Sequence, residues 1–249
     1  MQPWPYPFWI AHRGAGKLAP ENTLAAFRLG ARHGYRAFEC DVKLSADGVP
    51  FLLHDATLQR TTSGAGPAGD QPWSEMSRLD AGGWHSRAYA GEPLPSLDAV
   101  AAFVLRNGHA LNIEIKPSPG AERRTGEVVA AHAARRWQGS TPPLLSSFEP
   151  EALAGAQAAA PQLPRALLLD QLRGGWFEQA QALRCVAVVF AYALLDAPLV
   201  ERLHTAGLRA LAYTVNDPAE AHRLQRAGID GLITDEVARF SPADGAVRD

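Results

Sequence analysis

The sequence of 249 residues predicts an α/β protein, a single (β/α)8 TIM-type barrel with a small insertion after the second strand. Segments typical of helices and of strands alternate with short connections, which favours a parallel sheet. Eight of the apolar segments have the length of barrel strands. An open doubly wound sheet is the alternative. Because barrels of about 250 residues commonly form one unit, we expect 1–249 to be one domain.

The first strand and helix lie within the first 34 residues. Phe8–Ala11 is apolar and predicts a strand that ends at His12. A helix follows, for which Asn22 or Thr23 is the expected N-cap and Gly34 the C-terminal stop.

The second strand is predicted over Ala37–Leu44, and Asp47-Gly48 turns the chain into a hairpin strand over 49–53. Glycines and prolines then interrupt every apolar run between about 56 and 95. A stretch of this length without periodicity is typical of an insertion or a functional loop.

Regular alternation of helix and strand resumes after the insertion and continues to the last strand. The predicted strands are 111–115, 144–147, 165–169, 185–190, 209–215 and 231–234, and the predicted helices are 97–105, 121–136, 150–159, 176–183, 197–206 and 218–227.

Charge and hydropathy argue against several classes of partner. The 24 basic and 26 acidic side chains nearly balance, so we expect no nucleic-acid partner. No run approaches about 18 apolar residues, so we expect no stable membrane insertion. Met1–Pro7 has no features of a secretion signal. Cys40 and Cys185 lie in apolar strand patterns and are expected to be buried thiols, which favours the cytoplasm.

Three acids are expected to converge inside the barrel. Glu39 and Asp41 are two residues apart on a strand and therefore share one face. The apolar face of 111–115 must pack against helices, which leaves Glu114 on the inner face. Buried carboxylates must be neutral, ion-paired or metal-bound, and oxygen ligands favour Mg²⁺ or Ca²⁺. The alternative is a structural acid paired with Arg13.

Two histidines and two cations accompany these acids. His12 and His54 follow predicted strands, and together they suit a proton acceptor and a proton donor, although either alone would be as typical of a packed core. Arg13 is a natural bidentate clamp for phosphate. Lys116 is a cation for an anionic substrate, with an internal hydrogen-bond network as the alternative. The set is typical of phosphate ester cleavage.

The order of the motifs resembles the signature of glycerophosphodiester phosphodiesterases over nearly the whole chain. The motifs are His12-Arg13-Gly14, Pro20-Glu21-Asn22-Thr23 with Ala26-Phe27, Glu39-Cys40-Asp41-Val42, Asp47-Gly48, His54-Asp55 with Arg60-Thr61-Thr62, Asn112-Ile113-Glu114-Ile115-Lys116, Ser147-Phe148, Tyr213-Thr214-Val215-Asn216 and the segment 228–235. The resemblance implies a βα barrel with a small insertion after the second strand.

The resemblance also implies metal-dependent hydrolysis of glycerophosphodiesters, such as glycerophosphocholine and glycerophosphoethanolamine, to sn-glycerol 3-phosphate and an alcohol. Tyr213 stands where the family usually has tryptophan. By motif position, Glu39, Asp41 and Glu114 would hold the metal, His12 and His54 would be the acid–base pair, and Arg13, Lys116, Phe148 and Tyr213 would bind the substrate.

Two other functions are compatible with the same residues. A related barrel phosphodiesterase acting on lysophospholipids or phosphoinositides would use the same site, but would be expected to show an exposed apolar rim. The insertion at 56–95 is polar and rich in glycine, which does not favour such a rim. A barrel that only binds a phosphodiester would have no use for the acid–base pair.

Overall fold

The structure of the protein, a computed structural model, describes residues 4–240 and 242. The strands are β1 (Trp9–Ala11), β2 (Ala37–Leu44), β3 (Pro50–Leu52), β4 (Ala110–Ile115), β5 (Leu144–Ser147), β6 (Arg165–Leu169), β7 (Ala187–Ala191), β8 (Arg209–Tyr213) and β9 (Gly231–Thr234). The helices are α1 (Leu24–Arg32), α2 (Trp73–Met76), α3 (Leu97–Arg106), α4 (Glu122–Arg136), α5 (Pro150–Ala159), α6 (Trp176–Ala182), α7 (Ala197–Thr205) and α8 (Pro218–Arg226).

The strands form one sheet in the order β1-β9-β8-β7-β6-β5-β4-β2-β3, and β1 also pairs with β2. Eight parallel strands therefore close into a ring, while β3 runs antiparallel to β2. This closure confirms the predicted (β/α)8 TIM-type barrel and excludes the open doubly wound sheet.

Two strands have a boundary that differs from the predicted one by two residues, and the other strands agree to within one residue. β7 begins at Ala187 rather than at 185, because the backbone N–H of Cys185 donates to the carbonyl of Ala180 (2.9 Å) at the end of α6. β8 ends at Tyr213 rather than at 215. The chain then turns, so that the Asn216 side chain donates to Asp235 (3.1 Å).

The N-terminus of α1 is capped by Thr23 rather than by Asn22. Thr23 Oγ1 accepts from the backbone N–H of Ala26 (3.2 Å), which satisfies one of the free donors of the first turn. Gly34 follows the helix with φ = 89°, a left-handed conformation that suits glycine. Asn22 has φ = 59°, and its side chain forms hydrogen bonds with Asp41 instead of capping the helix.

Two apolar layers lie on the two faces of the barrel wall. Outward-facing residues such as Cys40 and Val42 belong to the large core between strands and helices. A second cluster fills the amino-terminal end of the barrel interior, with Ala37 and Ala110 among its members. Strand parity therefore leaves the intervening residues Glu39 and Asp41 on the inner face.

The predicted insertion lies between β3 and α3 and contains only α2 and short 3-10 turns. Its apolar side chains pack with Phe51 of β3 into a small separate core, whose other members are Leu53, Leu58, Ala68, Met76, Ala81 and Leu94. Glu92 ties it to the barrel, because its Oε1 accepts from the backbone N–H of Ala25 (2.9 Å) at the start of α1. The single-domain boundaries 1–249 stay a prediction.

Both cysteines, Cys40 and Cys185, are free and buried, as predicted. Within residues 4–240 and 242, the longest apolar helices are too short or too polar to cross a membrane. The expectation for Met1–Pro7 falls partly on residues outside the described part of the chain.

Candidate active site

The three predicted carboxylates meet at the carboxyl-terminal end of the barrel interior. Asp41 on β2 lies directly opposite Glu114 on the neighbouring strand β4. Glu39 lies one step below Asp41 on the same face of β2. One carboxylate oxygen from each of the three residues lies within 4.8 Å of the other two.

Two carboxylate oxygens of this cluster are buried without a hydrogen-bond partner among the described residues. They are Glu39 Oε1 and Asp41 Oδ1, on residues that are only 3% and 1% exposed. Leaving a buried acceptor unpaired costs about 1–3 kcal/mol, and more for a charged group. Oxygens that converge in this way fit a hard divalent cation, so the donor set matches the metal that the sequence predicts.

The pKa values of the acids reflect this crowding. Burial raises the pKa of Glu39, and the charge of Asp41 raises it further. Burial and Asp41 likewise raise the pKa of Glu114. Burial also acts to raise the pKa of Asp41, but Arg13 and then Lys116 outweigh it and lower that pKa. Burial and mutual repulsion therefore favour neutralisation of Glu39 and Glu114, by a proton or by a bound cation.

Arg13 contacts Glu39 and Asp41 of the cluster, and its backbone has a left-handed conformation with φ = 50°. Its backbone N–H donates to Glu39 Oε2 (3.0 Å), and its Nη1 donates to Glu21 (2.8 Å). Its Nε lies 3.4 Å from Asp41 Oδ2. The alternative of an arginine-paired acid therefore holds for Oδ2 of Asp41, whereas Oδ1 has no hydrogen bond.

Lys116 lies at the opposite side of the cluster and donates to Glu114 Oε1 (2.8 Å). Its ammonium is also 3.6 Å from Asp41 Oδ1, too far for a hydrogen bond. The third polar residue of β4, Asn112, accepts from Ser146 (2.9 Å) and so fits the internal-network alternative. Glu114 and Lys116 instead face the carboxylate cluster.

His12 is oriented by a carboxylate from the far end of the chain. Its Nδ1 is 2.6 Å from Asp235 Oδ1, and its Nε2 is 3.8 Å from Glu39 Oε2. Burial acts to lower the pKa of His12, but the hydrogen bond to Asp235 and the charge of Glu39 outweigh it and raise that pKa. Asn216 holds Asp235 through a side-chain hydrogen bond (3.1 Å). The imidazole thus presents Nε2 to the cluster.

His54 is oriented in a similar way by its neighbour in sequence. Its Nδ1 is 2.8 Å from Asp55 Oδ1, which leaves Nε2 for a substrate. Burial lowers the pKa of His54. Arg60 holds Asp55 through two hydrogen bonds (2.6 and 2.9 Å) and also donates twice to Glu21. Glu21 also accepts from Arg13. Hydrogen bonds therefore connect Arg13 to His54 through Glu21, Arg60 and Asp55 in turn.

The two aromatic residues predicted to bind substrate lie together at the barrel mouth. The rings of Phe148 and Tyr213 are 5.7 Å apart and nearly perpendicular. The ammonium of Lys116 is 5.8 Å from the centre of the Phe148 ring. The Tyr213 hydroxyl donates to the carbonyl of Leu169 (3.3 Å), which fixes the ring against β6. All predicted site residues are therefore at the same end of the barrel.

Sequence reasoning assigned no site role to several residues that the structure places there. Asn22 is the clearest case: its Nδ2 donates to Asp41 Oδ2 (2.8 Å) and its Oδ1 accepts from the Asp41 backbone (3.1 Å). Asp235, Asp55 and Arg60 orient the two histidines. The only sequence signal for these residues was that they belong to the motifs that carry the family resemblance.

A cleft of about 310 Å³ opens beside the cluster, between the loop after β1 and the insertion. It is lined by His12, Arg13, Gly16, Lys17, Ala19, Glu21, Trp84, His85 and Asp235. A larger cavity of about 500 Å³ lies at the amino-terminal end of the barrel. No described residue that lines the larger cavity is acidic or a histidine, whereas His12 and Arg13 of the predicted site line the smaller cleft.

Comparisons with known proteins agree with this geometry. A sequence model of the glycerophosphoryl diester phosphodiesterase family matches residues 12–239. A glycerophosphodiester phosphodiesterase of Caldanaerobacter subterraneus is 32% identical over 231 residues, covering 91% of this chain and 93% of its own.

Two solved structures are similar to this chain. One is an Oleispira antarctica phosphodiesterase in complex with the product sn-glycerol-3-phosphate, with 34% identity, a TM-score of 0.90 and coverage of 96% of this chain and 98% of its own. The other is a glycerophosphodiester phosphodiesterase of Agrobacterium tumefaciens, with 32% identity, a TM-score of 0.81 and coverage of 94% and 99%.

Proposed function

The chain belongs to the glycerophosphoryl diester phosphodiesterase family, and we propose that it uses a divalent cation and two histidines to hydrolyse its substrates. Proteins of this family are phosphoric diester hydrolases that act on glycerophosphodiesters. The proposed substrates are glycerophosphocholine and glycerophosphoethanolamine, and the products are sn-glycerol 3-phosphate and the free alcohol. The observation that supports the proposal best is the pair of buried carboxylate oxygens without hydrogen bonds, beside two imidazoles that carboxylates orient.

Glu39, Asp41 and Glu114 would hold the cation, Mg²⁺ or Ca²⁺, through their converging oxygens. When bound, the cation would withdraw charge from the phosphoryl oxygens of the substrate. Arg13 and Lys116 supply positive charge on two sides of the same cluster. Fixed charges of this kind stabilise a phosphoryl transition state because they need no reorganisation during the reaction.

The two histidines would move the protons. One takes a proton from the nucleophile, which is water or the neighbouring hydroxyl of the glycerol arm, as the new P–O bond forms. The other gives a proton to the alkoxide as the bond from phosphorus to the alcohol oxygen breaks. Attack by the glycerol hydroxyl would give a cyclic phosphate that water then opens. Asp235 binds Nδ1 of His12, and Asp55 binds Nδ1 of His54. Each histidine would therefore transfer its proton through Nε2.

The aromatic wall of Phe148 and Tyr213 supports binding of the departing alcohol at the barrel mouth. A methylated ammonium group would gain attraction from these ring faces. The two free, buried cysteines are compatible with a reducing compartment, and we propose a cytoplasmic role in the breakdown of lipid headgroup esters.

The test is release of sn-glycerol 3-phosphate from glycerophosphocholine and glycerophosphoethanolamine with Mg²⁺, with Ca²⁺ and with a chelator. We expect turnover that a chelator abolishes and a divalent cation restores. Glu114→Gln should lower kcat by on the order of a hundredfold to a thousandfold. Glu151→Gln is the matched control, because Glu151 is 72% exposed on α5 and belongs neither to the carboxylate cluster nor to the lining of the cleft.

Each contrary result points to a different error. Turnover that persists in chelator would contradict the metal assignment. A wild-type protein that binds sn-glycerol 3-phosphate but hydrolyses neither ester would indicate a binding barrel instead of an enzyme for these substrates.

A further inference from the structure

The cavity of about 500 Å³ at the amino-terminal end of the barrel lies at the opposite end from the carboxylate cluster. Its volume is within the usual range of small-molecule sites. The loops before β6, β7 and β8 form its walls, and Trp4 and Tyr6 of the amino-terminal segment also line it. Its charged lining residues, in the part of the chain that the structure describes, are three arginines, Arg165, Arg184 and Arg209. The lining therefore favours an anion.

Arg165 is a buried cation that pairs with no carboxylate among residues 4–240 and 242. It is the first residue of β6 and is only 3% exposed. Its guanidinium donates to four carbonyl groups of the loops around the cavity, those of Leu183 (3.0 Å), Pro161 (3.2 Å), Leu163 (2.7 Å) and Arg184 (3.4 Å). Carbonyl groups accept these hydrogen bonds but carry no net charge. Because a buried charge is unfavourable without an opposite charge, Arg165 favours an anion in the cavity.

Arg184 has a left-handed backbone, with φ = 49°, just after the end of α6. Glycine usually occupies such a position, because a Cβ makes this conformation unfavourable. The backbone N–H of Arg184 donates to the carbonyl of Gln181 (2.9 Å), which fixes the turn. Its exposed guanidinium forms no hydrogen bond or ion pair with any other described residue. A strained backbone that carries an unpaired cation at a cavity is typical of a ligand site.

The third arginine and the amino-terminal segment complete the wall of the cavity. Arg209 donates from Nη1 to Asp230 (2.7 Å), which neutralises its charge. Its guanidinium lies over the ring of Trp4, 6.0 Å from the centroid. The hydroxyl of Tyr6 donates to the carbonyl of Pro142 (2.9 Å). These contacts hold two aromatic side chains against the loops, so the cavity combines an aromatic wall with the two unneutralised charges of Arg165 and Arg184.

We propose that this cavity is a second ligand site, which binds a phosphate monoester with an apolar organic part. The phosphate would bind the guanidinium of Arg184 and the one N–H of Arg165 that has no carbonyl acceptor. A planar guanidinium matches phosphate oxygens in a bidentate geometry. A phosphate monoester carries a charge of about −1.5 to −2 at pH 7, which balances the two arginines. The site is separate from the proposed active site and shares no residue with it.

The lining of the cavity disfavours other kinds of ligand. A cationic ligand would be repelled by Arg165 and Arg184, and a neutral one would leave both charges without a counterion. Inorganic phosphate would neutralise the charges but would leave the apolar part of the wall in contact with water. That part includes Trp4, Leu163 and Val186. An organic group attached to the phosphate would cover it and add the free energy of apolar burial.

The test is calorimetric titration with phenyl phosphate, inorganic phosphate and benzyl alcohol, which has a similar ring but no charge. All titrations contain a chelator, so that no cation draws phosphate to the carboxylate cluster. Arg184→Gln and Arg184→Gly are compared with Arg106→Gln, the matched control, because Arg106 is exposed at the end of α3, at the same end of the barrel, and does not line the cavity. Lys116→Met reports any binding at the active site, and thermal melting measures the stability of each variant.

We expect the wild-type protein to bind phenyl phosphate, inorganic phosphate about tenfold more weakly, and benzyl alcohol not at all. Arg184→Gln should raise the Kd of phenyl phosphate by on the order of tenfold to a hundredfold, because a charged hydrogen-bond donor is lost. Arg106→Gln and Lys116→Met should keep the wild-type Kd. Without ligand, Arg184→Gly should melt at or above the wild-type temperature, because glycine accepts the left-handed backbone, yet it should bind as weakly as Arg184→Gln.

A wild-type protein that does not bind phenyl phosphate, or an Arg184→Gln variant with the wild-type Kd, would overturn the proposal. Loss of binding in Lys116→Met would overturn it too, because the phosphate would then bind at the active site. Equal Kd values for phenyl phosphate and inorganic phosphate would contradict the organic part of the ligand. A folded Arg184→Gly variant that melts well below the wild type would show that Arg184 serves the fold instead of a ligand.

Discussion

The interior of the barrel has two halves of opposite character. The half toward the amino ends of the strands is filled by apolar side chains, namely Ile10, Ala37, Ala110, Leu144, Ala166, Leu168, Ala187, Val189, Leu211 and Ile233. The half toward the carboxyl ends holds Glu39, Asp41, Lys43, Glu114 and Lys116. A single strand, β2, changes from one character to the other within two residues, from Ala37 to Glu39.

The lower half of the barrel interior contributes mainly to stability, and the upper half holds the reactive groups. Apolar packing in the lower half removes surface from water and leaves no polar atom to satisfy. The upper half keeps charged groups buried and leaves two carboxylate oxygens without a hydrogen bond, which lowers the free energy of unfolding. Substitutions in the upper half should therefore change turnover more than stability, and substitutions in the lower half should do the reverse.

The largest effect is expected at the histidines of the upper half. His54→Ala should lower kcat by about 10²–10⁴, because proton transfer by a positioned side chain contributes that much. The melting temperature should change little, since His54 is only partly buried. Steady-state kinetics beside a thermal melt measures both quantities, with His222→Ala on the exposed face of α8 as the control. Near-normal turnover of His54→Ala would remove it from the mechanism.

The lower half gives the converse prediction. Leu211 on β8 is completely buried in the apolar cluster. Leu211→Ala should lower the free energy of unfolding by about 2–5 kcal/mol through lost burial and a residual cavity. Urea unfolding measures this loss, and kcat at a temperature where the variant is folded should stay near the wild-type value. A variant of full stability and impaired kcat would reverse the comparison.

The carboxylates that orient the two histidines should have an intermediate effect on kcat. Asp55→Asn removes the charge that orients His54 and should lower kcat by on the order of a hundredfold. If Asp55 acts only through His54, Asp55→Asn should cause no further loss in a His54→Ala background, but its full loss in a His12→Ala background. Equal additional losses in the two backgrounds would show that Asp55 has another role.

A histidine at the lower end gives the smallest effect and a pH dependence of stability. His109 is 7% exposed and packs between Phe38 and Phe103, with ring centroids 5.3 and 5.6 Å away. Burial lowers the pKa of His109, so the folded protein favours the neutral ring. The unfolded chain then binds more protons below the ordinary pKa of about 6.5, and the free energy of unfolding should fall as pH drops through that value.

Urea unfolding between pH 5.5 and 8 measures this dependence, and His109→Phe should reduce it. The wild-type protein and the variant are compared in chelator, so that metal binding does not contribute. The same pH slope in both proteins would show that His109 is not its source.

Much of the architecture follows from patterns that are local in sequence. Alternation fixed the face on which Glu39, Asp41 and Glu114 lie, because side chains on a strand alternate between its two faces. The end of α1 was predictable because glycine accepts the left-handed conformation found at Gly34. Strand boundaries were less predictable where a helix end competes for the same backbone donor, as at Cys185.

The supporting contacts of the site could not be predicted in the same way. Asp235 reaches His12 only because the barrel closes β9 against β1, which joins residues 223 positions apart. Asn22 bonds to Asp41 through a left-handed backbone that no local pattern indicates at an asparagine. The insertion was predicted to be polar, yet its fold leaves Trp84 exposed at the cleft.

The most direct test of the account is calorimetric titration of metal-free protein with Ca²⁺ and, separately, with Mg²⁺. We expect one ion per chain for at least one of these metals, and binding weakened by at least about a hundredfold in Glu39→Gln but unchanged in Glu151→Gln. A wild-type protein that binds neither ion, or a Glu39→Gln variant that binds as tightly as wild type, would contradict the claim that these carboxylates form a cation site.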